Sequence, residues 1–182
     1  MKRHRGHTLL ELMLVLAVAA LVLGAAIPAF QELIARQKLR TTVSELFSAI
    51  DLTRAQALAR GSRVMLAPAD PAGSDWNAGW VVFVDKNGNQ MPDASDELIF
   101  RRGPVGGAIA IKAAFSSGHA PDYVAFNGAG RSCSASSSLA AHWGTFSLAQ
   151  GKQTRHIIIN MLGRARVCDP SIQLHTCGSG AD

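Results

Sequence analysis

The chain is poor in the features that mark a catalytic or cofactor-binding protein. Only 6% of its residues are aromatic, one of them tyrosine, so a platform for stacking the bases of a single strand is not expected. Its three cysteines form no Cys-x-x-Cys pair and its histidines no His-x-x-x-His, which removes the usual frame of a metal centre. No Gly-x-Ser-x-Gly elbow, His-Glu-x-x-His or glycine-rich phosphate loop occurs. Neither an enzyme, a cofactor nor a metal is therefore expected. Acids are nearly missing from one region: between Leu98 and Cys168, Asp122 stands alone against eight basic residues, Arg101, Arg102, Lys112, Arg131, Lys152, Arg155, Arg164 and Arg166. Such a deficit is the pattern of a surface that faces a polyanion.

What the chain does have is a long apolar run near its start. Lys2, Arg3 and Arg5 precede nineteen residues, Leu9 to Ile27, that are apolar or glycine except for Glu11. About 20 such residues at 1.5 Å each span a bilayer, whereas the apolar part of a secretory signal takes roughly 7–15. A carboxylate within such a run is costly and marks a functional position. Pro28, four residues after Gly24, predicts a bend rather than an end. Beyond it Leu39, Val43, Leu46, Phe47, Ile50 and Leu58 recur at the helical period, and Gly61 supplies a stop. One helix of roughly fifty residues follows from this pattern, apolar over 7–29 and amphipathic over 30–60.

After Gly61 the period changes to two. Strands are predicted at Arg63–Ala67, Gly79–Asp85, Glu97–Arg102, Ala108–Phe115, Tyr123–Asn127, Gly144–Ala149, Thr154–Met161 and Arg164–Cys168, forming one antiparallel sheet or a pair. The fold class is α+β, with a β-rich head and C-terminal tail over 61–182. The loop Asp85–Asp96 has oxygen-bearing side chains at alternate positions, but Gln90 and Asp96 stand where a calcium loop needs Gly and Glu, so a polar hairpin connection is the reading adopted. The positive-inside rule puts the head outside the cytoplasm, where a disulfide persists. Cys168 with Cys177 would pin the tail; Cys133 is the alternative partner.

Residues Gly6-His7-Thr8-Leu9-Leu10-Glu11, after the basic leader, resemble the type IV pilin and pseudopilin family. The resemblance implies that a prepilin peptidase removes residues 1–6, cutting between Gly6 and His7, and that the new N-terminus is methylated. It implies that Glu11 pairs with the terminal amine of a neighbouring subunit, which lowers the cost of burying it. His7 stands where the family usually has phenylalanine or methionine. Loss of the leader would take the net charge from +5 to +2, three basic residues going with it. Other pilin and minor pilin subunits, the peptidase and the inner membrane are the implied partners, with a single-pass anchor, a periplasmic head and later a place in a pilus or pseudopilus.

More narrowly, Gly79-Trp80-Val81-Val82-Phe83-Val84-Asp85, Glu97-Leu98-Ile99-Phe100-Arg101 and Phe126-Asn127-Gly128 with Gly130-Arg131 resemble the branch containing FimT and the type II secretion pseudopilin GspH. Gly163-Arg164-Ala165-Arg166 is similar to the Gly-Arg-x-Arg motif of DNA-binding FimT-type minor pilins, which serves DNA capture in natural transformation. Double-stranded DNA is the implied partner, with Arg164 and Arg166 on phosphates and Gly163 as the turn. Alternate residues of an extended strand share a face, and the guanidinium fork suits phosphate. Charge clustering adds Arg155, Lys152 and Arg131. The other reading is a structural pseudopilin whose arginines merely keep a strand edge soluble.

Overall fold

The computed structural model describes residues 8–173 and Cys177, the side chains of residues 25, 28 and 29 apart. Helix α1, Leu9–Arg60, is unbroken through Gly24 and Pro28. Thr8 starts it: its Oγ1 accepts the Glu11 amide at 3.3 Å, the Thr-x-x-Glu spacing of a capping box. Glu11 thus lies in the first turn, where the helix dipole favours an acid. The helix closes after Ala57, as Ser62 N donates to Ala57 O and Gly61 N to Leu58 O, both at 3.3 Å.

The chain divides into two compact units, Met1–Lys38 and Leu39–Asp182. In the first, leucines, valines and Phe30 are exposed all round the helix, and Arg36 pairs with Glu32 at 2.6 Å. Among the described residues no helix is long and apolar enough to cross a membrane. The anchor expected over 7–29 takes in His7 and undescribed side chains, so it rests on sequence. Gly6 and His7, the expected processing site, also lie outside the described residues.

Among the described residues the second unit holds eight strands: β1 Val64–Pro68, β2 Trp80–Val84, β3 Glu97–Arg102, β4 Ala110–Phe115, β5 Val124–Phe126, β6 Gly144–Gln150, β7 Gln153–Ile159 and β8 Ala165–Cys168. They form two antiparallel four-stranded sheets in the orders β3-β2-β1-β5 and β4-β6-β7-β8. Leu39, Val43, Leu46, Ile50 and Ala57 of the helix pack with Val64, Leu66, Trp80, Phe126, Phe146, Leu148, Ile157 and Ile159, so one helix stripe covers faces of both sheets. The stripe is rotated from the expected one at its end. Leu58 is 51% exposed, and Thr53 and Ala57 are buried in its place. The first sheet has a second core on its other face, Met65, Ala67, Val81, Phe83 and Ala125 with Tyr123, Cys133 and Ala135.

Candidate nucleic-acid interface

The Gly-Arg-x-Arg segment lies where β7 turns into β8, the edge strand of the second sheet. Three isoleucines, Ile157–Ile159, hold β7 in the sheet, and Asn160 ends it. Gly163 N donates to Asn160 O at 2.9 Å, and Asn160 N to Arg164 O at 3.1 Å. The Asn160 Oδ1 accepts from Leu162 N at 3.1 Å and from Arg164 N at 2.9 Å. An Asn side chain that takes over main-chain donors in this way stops a ladder and starts a turn. Hence Asn160 and Met161, expected in β7, and Arg164, expected in β8, belong to the turn.

Gly163 closes the three-residue loop at φ +78, in the left-handed region. A Cβ there would stand 2.6 Å from Gly130 O, 2.9 Å from Ser132 N and 3.0 Å from Phe126 Cε1. Both the dihedral and the close approach require glycine. Arg164 and Arg166 follow, both exposed. Arg166 lies opposite Ile158, and opposed residues of an antiparallel pair share a face. The same registers place Ile158 beside Thr145 and His156 beside Ser147, so this is the sheet face away from the helix. Lys112 is exposed on it too, opposite Ser147. Sequence reasoning counted its charge but could not assign its face, because that needs the order of strands.

The other expected contributors are not all brought together. Gly163 sits against the main chain on either side of Arg131, which is exposed, so Arg131 joins the hairpin. Lys152 does not: it is in the turn before β7, six residues and so about 20 Å along the strand from Ile158. Arg155 points to the opposite face, with Ile157 and Ile159, and pairs with Asp169 at 2.7 Å. The Asp169 carboxyl is held below the usual carboxylate range, chiefly by the Ser171 hydroxyl and also by Arg155. Arg102 is likewise engaged, with Glu45 at 2.7 Å and over the Trp80 ring at 5.1 Å. Both acids lie outside the Leu98–Cys168 window. The charge excess read along the chain is therefore larger than the excess on the surface.

Cys168 and Cys177 form a disulfide, and Cys133 is free and buried, its thiol pKa pushed up by that burial. His156 converges with both sulfurs within 4.8 Å, but the sulfurs are bonded to each other, which leaves His156 as the one available donor of that group. In the Asp85–Asp96 loop the carboxylates serve the loop's own donors. Asp85 accepts from Gly88 N and Gln90 N, and Asp96 from Lys86 N and Asp93 N. Asp93 accepts from Asn87 and Asn89, and its pKa falls to about 2, chiefly through the Ser95 hydroxyl. These bonds close a hairpin connection.

A family profile described as "Type II transport protein GspH" matches residues 42–163, and one described as "Prokaryotic N-terminal methylation motif" matches residues 1–27. The first match includes Gly163 and stops before Arg164. Two curated fimbrial proteins of Pseudomonas aeruginosa are each 32% identical over 122 residues, covering 63% of this chain and 77% of theirs. Among solved structures, the Pseudomonas aeruginosa type IV minor pilin FimU shares the fold at a TM-score of 0.56 and 18% identity, over 75% of this chain and 92% of that one. A second crystal form gives 0.54 at 16% identity, over 72% and 94%. The chain belongs to the GspH family of minor type IV pilins and pseudopilins.

Proposed function

We propose that this minor pilin is of the FimT type and binds duplex DNA without sequence preference, through Arg164 and Arg166, during DNA uptake in natural transformation. The carrying observation is the β7–β8 hairpin: a buried glycine that nothing can replace without a clash, followed by two exposed arginines at a sheet edge. Phosphate contacts supply affinity and no base reading, since among the described residues neither a recognition helix nor an exposed aromatic platform accompanies them. Anchoring in the inner membrane through residues 7–29, removal of residues 1–6 and pairing of Glu11 with a neighbouring terminal amine belong to the same reading. The apolar side chains exposed around the helix before Lys38 support it, because lipid or other subunits would cover them.

The test is titration of the detergent-solubilised chain with short duplexes of unrelated sequence at several salt concentrations. Dissociation constants of roughly 10⁻⁴ to 10⁻⁶ M, alike for all sequences, are expected. Arg164→Ala and Arg166→Ala should each lower the slope of log affinity against log salt by about one. Absence of binding would leave the second reading, a structural pseudopilin of a type II secretion system, which the description of the matching family favours.

A further inference from the structure

The loop that Gly163 packs against is a second copy of its own turn. Asn127-Gly128-Ala129-Gly130-Arg131 and Asn160-Met161-Leu162-Gly163-Arg164 share the pattern Asn-x-x-Gly-Arg. Four hydrogen bonds inside each turn correspond. In the first, Gly130 N donates to Asn127 O at 2.8 Å and Asn127 N to Arg131 O at 3.0 Å, as Gly163 and Asn160 do in the second. Asn127 Oδ1 accepts from Ala129 N at 3.1 Å and from Arg131 N at 3.0 Å, as Asn160 Oδ1 does from Leu162 and Arg164. Gly130 has φ +71 and Gly163 φ +78. The likeness is of turns, since the strands that feed them belong to different sheets.

The two turns are stacked. The close approach of Gly163 to Gly130 O and Ser132 N puts the main chain of Arg131 beside that of Arg164. From that contact and a spacing of about 3.8 Å per residue, their Cα atoms lie within about 11 Å of each other. Both side chains are exposed, and among the described residues neither has a carboxylate partner. In each turn the Asn occupies both the N–H and the C=O of the arginine, so the base of each arm is fixed before anything binds. The first turn is also tied to the helix, as Arg54 Nε donates to Gly130 O at 2.9 Å.

We propose that the two turns form one phosphate clamp, in which Arg131 grips a phosphate near that held by Arg164 on the same duplex. The proposal rests on the DNA-binding reading above and deepens it. Two arms with fixed bases, their Cα atoms within about 11 Å, suit a repeating anion better than an isolated one, because the first contact raises the effective concentration of phosphate at the second. Fixed bases also reduce the ordering cost of binding.

The test uses the full chain in detergent, titrated with duplex over a salt series as wild type, Arg131→Ala, Arg164→Ala, the double change, and a control with Arg101→Ala and Lys152→Ala. Arg131→Gln serves as a second neutral variant, and thermal melts verify folding of each. The clamp is supported if Arg131→Ala and Arg131→Gln weaken binding several-fold, lower the salt slope by about one, and the control does not. Asn127→Ala, which keeps every charge, should then also weaken binding. If Arg164→Ala weakens binding while the Arg131 variants match wild type, the clamp is overturned and the single-motif reading stands. If the control weakens binding as much as Arg131→Ala, general basicity replaces the clamp. Failure of the wild type to bind duplex overturns both.

Discussion

The two sheets have equal numbers of strands and differ in how far their second faces are covered. In β3-β2-β1-β5, every residue of β1 and the first four of β2 are buried, because the helix covers one face and the segment through Cys133 and Ala135 the other. In β4-β6-β7-β8 the helix covers one face, and the other is covered only in part: Lys112 and Arg166 are exposed on it and Thr145, Ser147 and His156 half-buried, while Ile158 and Cys168, bonded to Cys177, are buried. The first sheet is given over to packing, and the charged hairpin is carried at the edge of the second. A surface that binds a polyanion needs exposed cations on a firm base; here the double-sided sheet contributes the β5 turn against which the hairpin rests.

The sharpest break of this comparison is a pair of alanine substitutions. Phe83→Ala, in the second core, should cost about 3–5 kcal/mol, whereas Ser147→Ala, half-exposed on the partly covered face, should stay within about 0.5 kcal/mol. Denaturant midpoints measure both, and similar small losses would mean that the double-sided core is not formed. A smaller difference separates two hairpin glycines of the second sheet. Gly151 has φ +59 with open space around it, and Gly163 has φ +78 with the neighbouring turn in the way. Gly151→Ala should cost about 1 kcal/mol from strain, and Gly163→Ala clearly more, up to about 3 kcal/mol, by the same measurement.

The smallest expected effect is on pH. His142 is buried, stacked on Tyr123 with ring centroids 4.4 Å apart, and burial pushes its pKa down. Its neutral form is favoured in the folded chain, so below the unfolded value of about 6.5 the unfolded chain binds the extra proton. The stability His142 contributes is full above that value and is lost as pH falls toward its folded pKa. Thermal midpoints should drop on acidification from neutrality, and less so in His142→Asn. An equal drop in the variant would assign the effect to other groups.

Much of this was readable along the chain. The change of period at Gly61, the helix carried through Pro28 and the turn at Gly163 each follow from a few adjacent residues. The repeated Asn-x-x-Gly-Arg was also present in the sequence, but thirty-three positions separate Asn127 from Asn160, and only their stacking gives the repeat meaning. Leu58 was misplaced because periodicity gives a stripe's spacing and not its rotation about the axis, which Ala57 and Thr53 settle by packing. Arg155 was misplaced because clustering along the chain ignores the face of a strand.

Residue order alone was enough for the basic residues before the apolar run with Glu11, the α+β class and the Gly-Arg-x-Arg hairpin, since each depends on local spacing and on backbone preferences that act within a few residues. Folding alone decided which charges remain on the surface. Glu45 from the helix and Asp169 from beyond the basic stretch take up Arg102 and Arg155, while two distant turns bring Arg131 beside Arg164. Charge pairing depends on distance in space, and a strand shows its two faces only once its neighbours are in place.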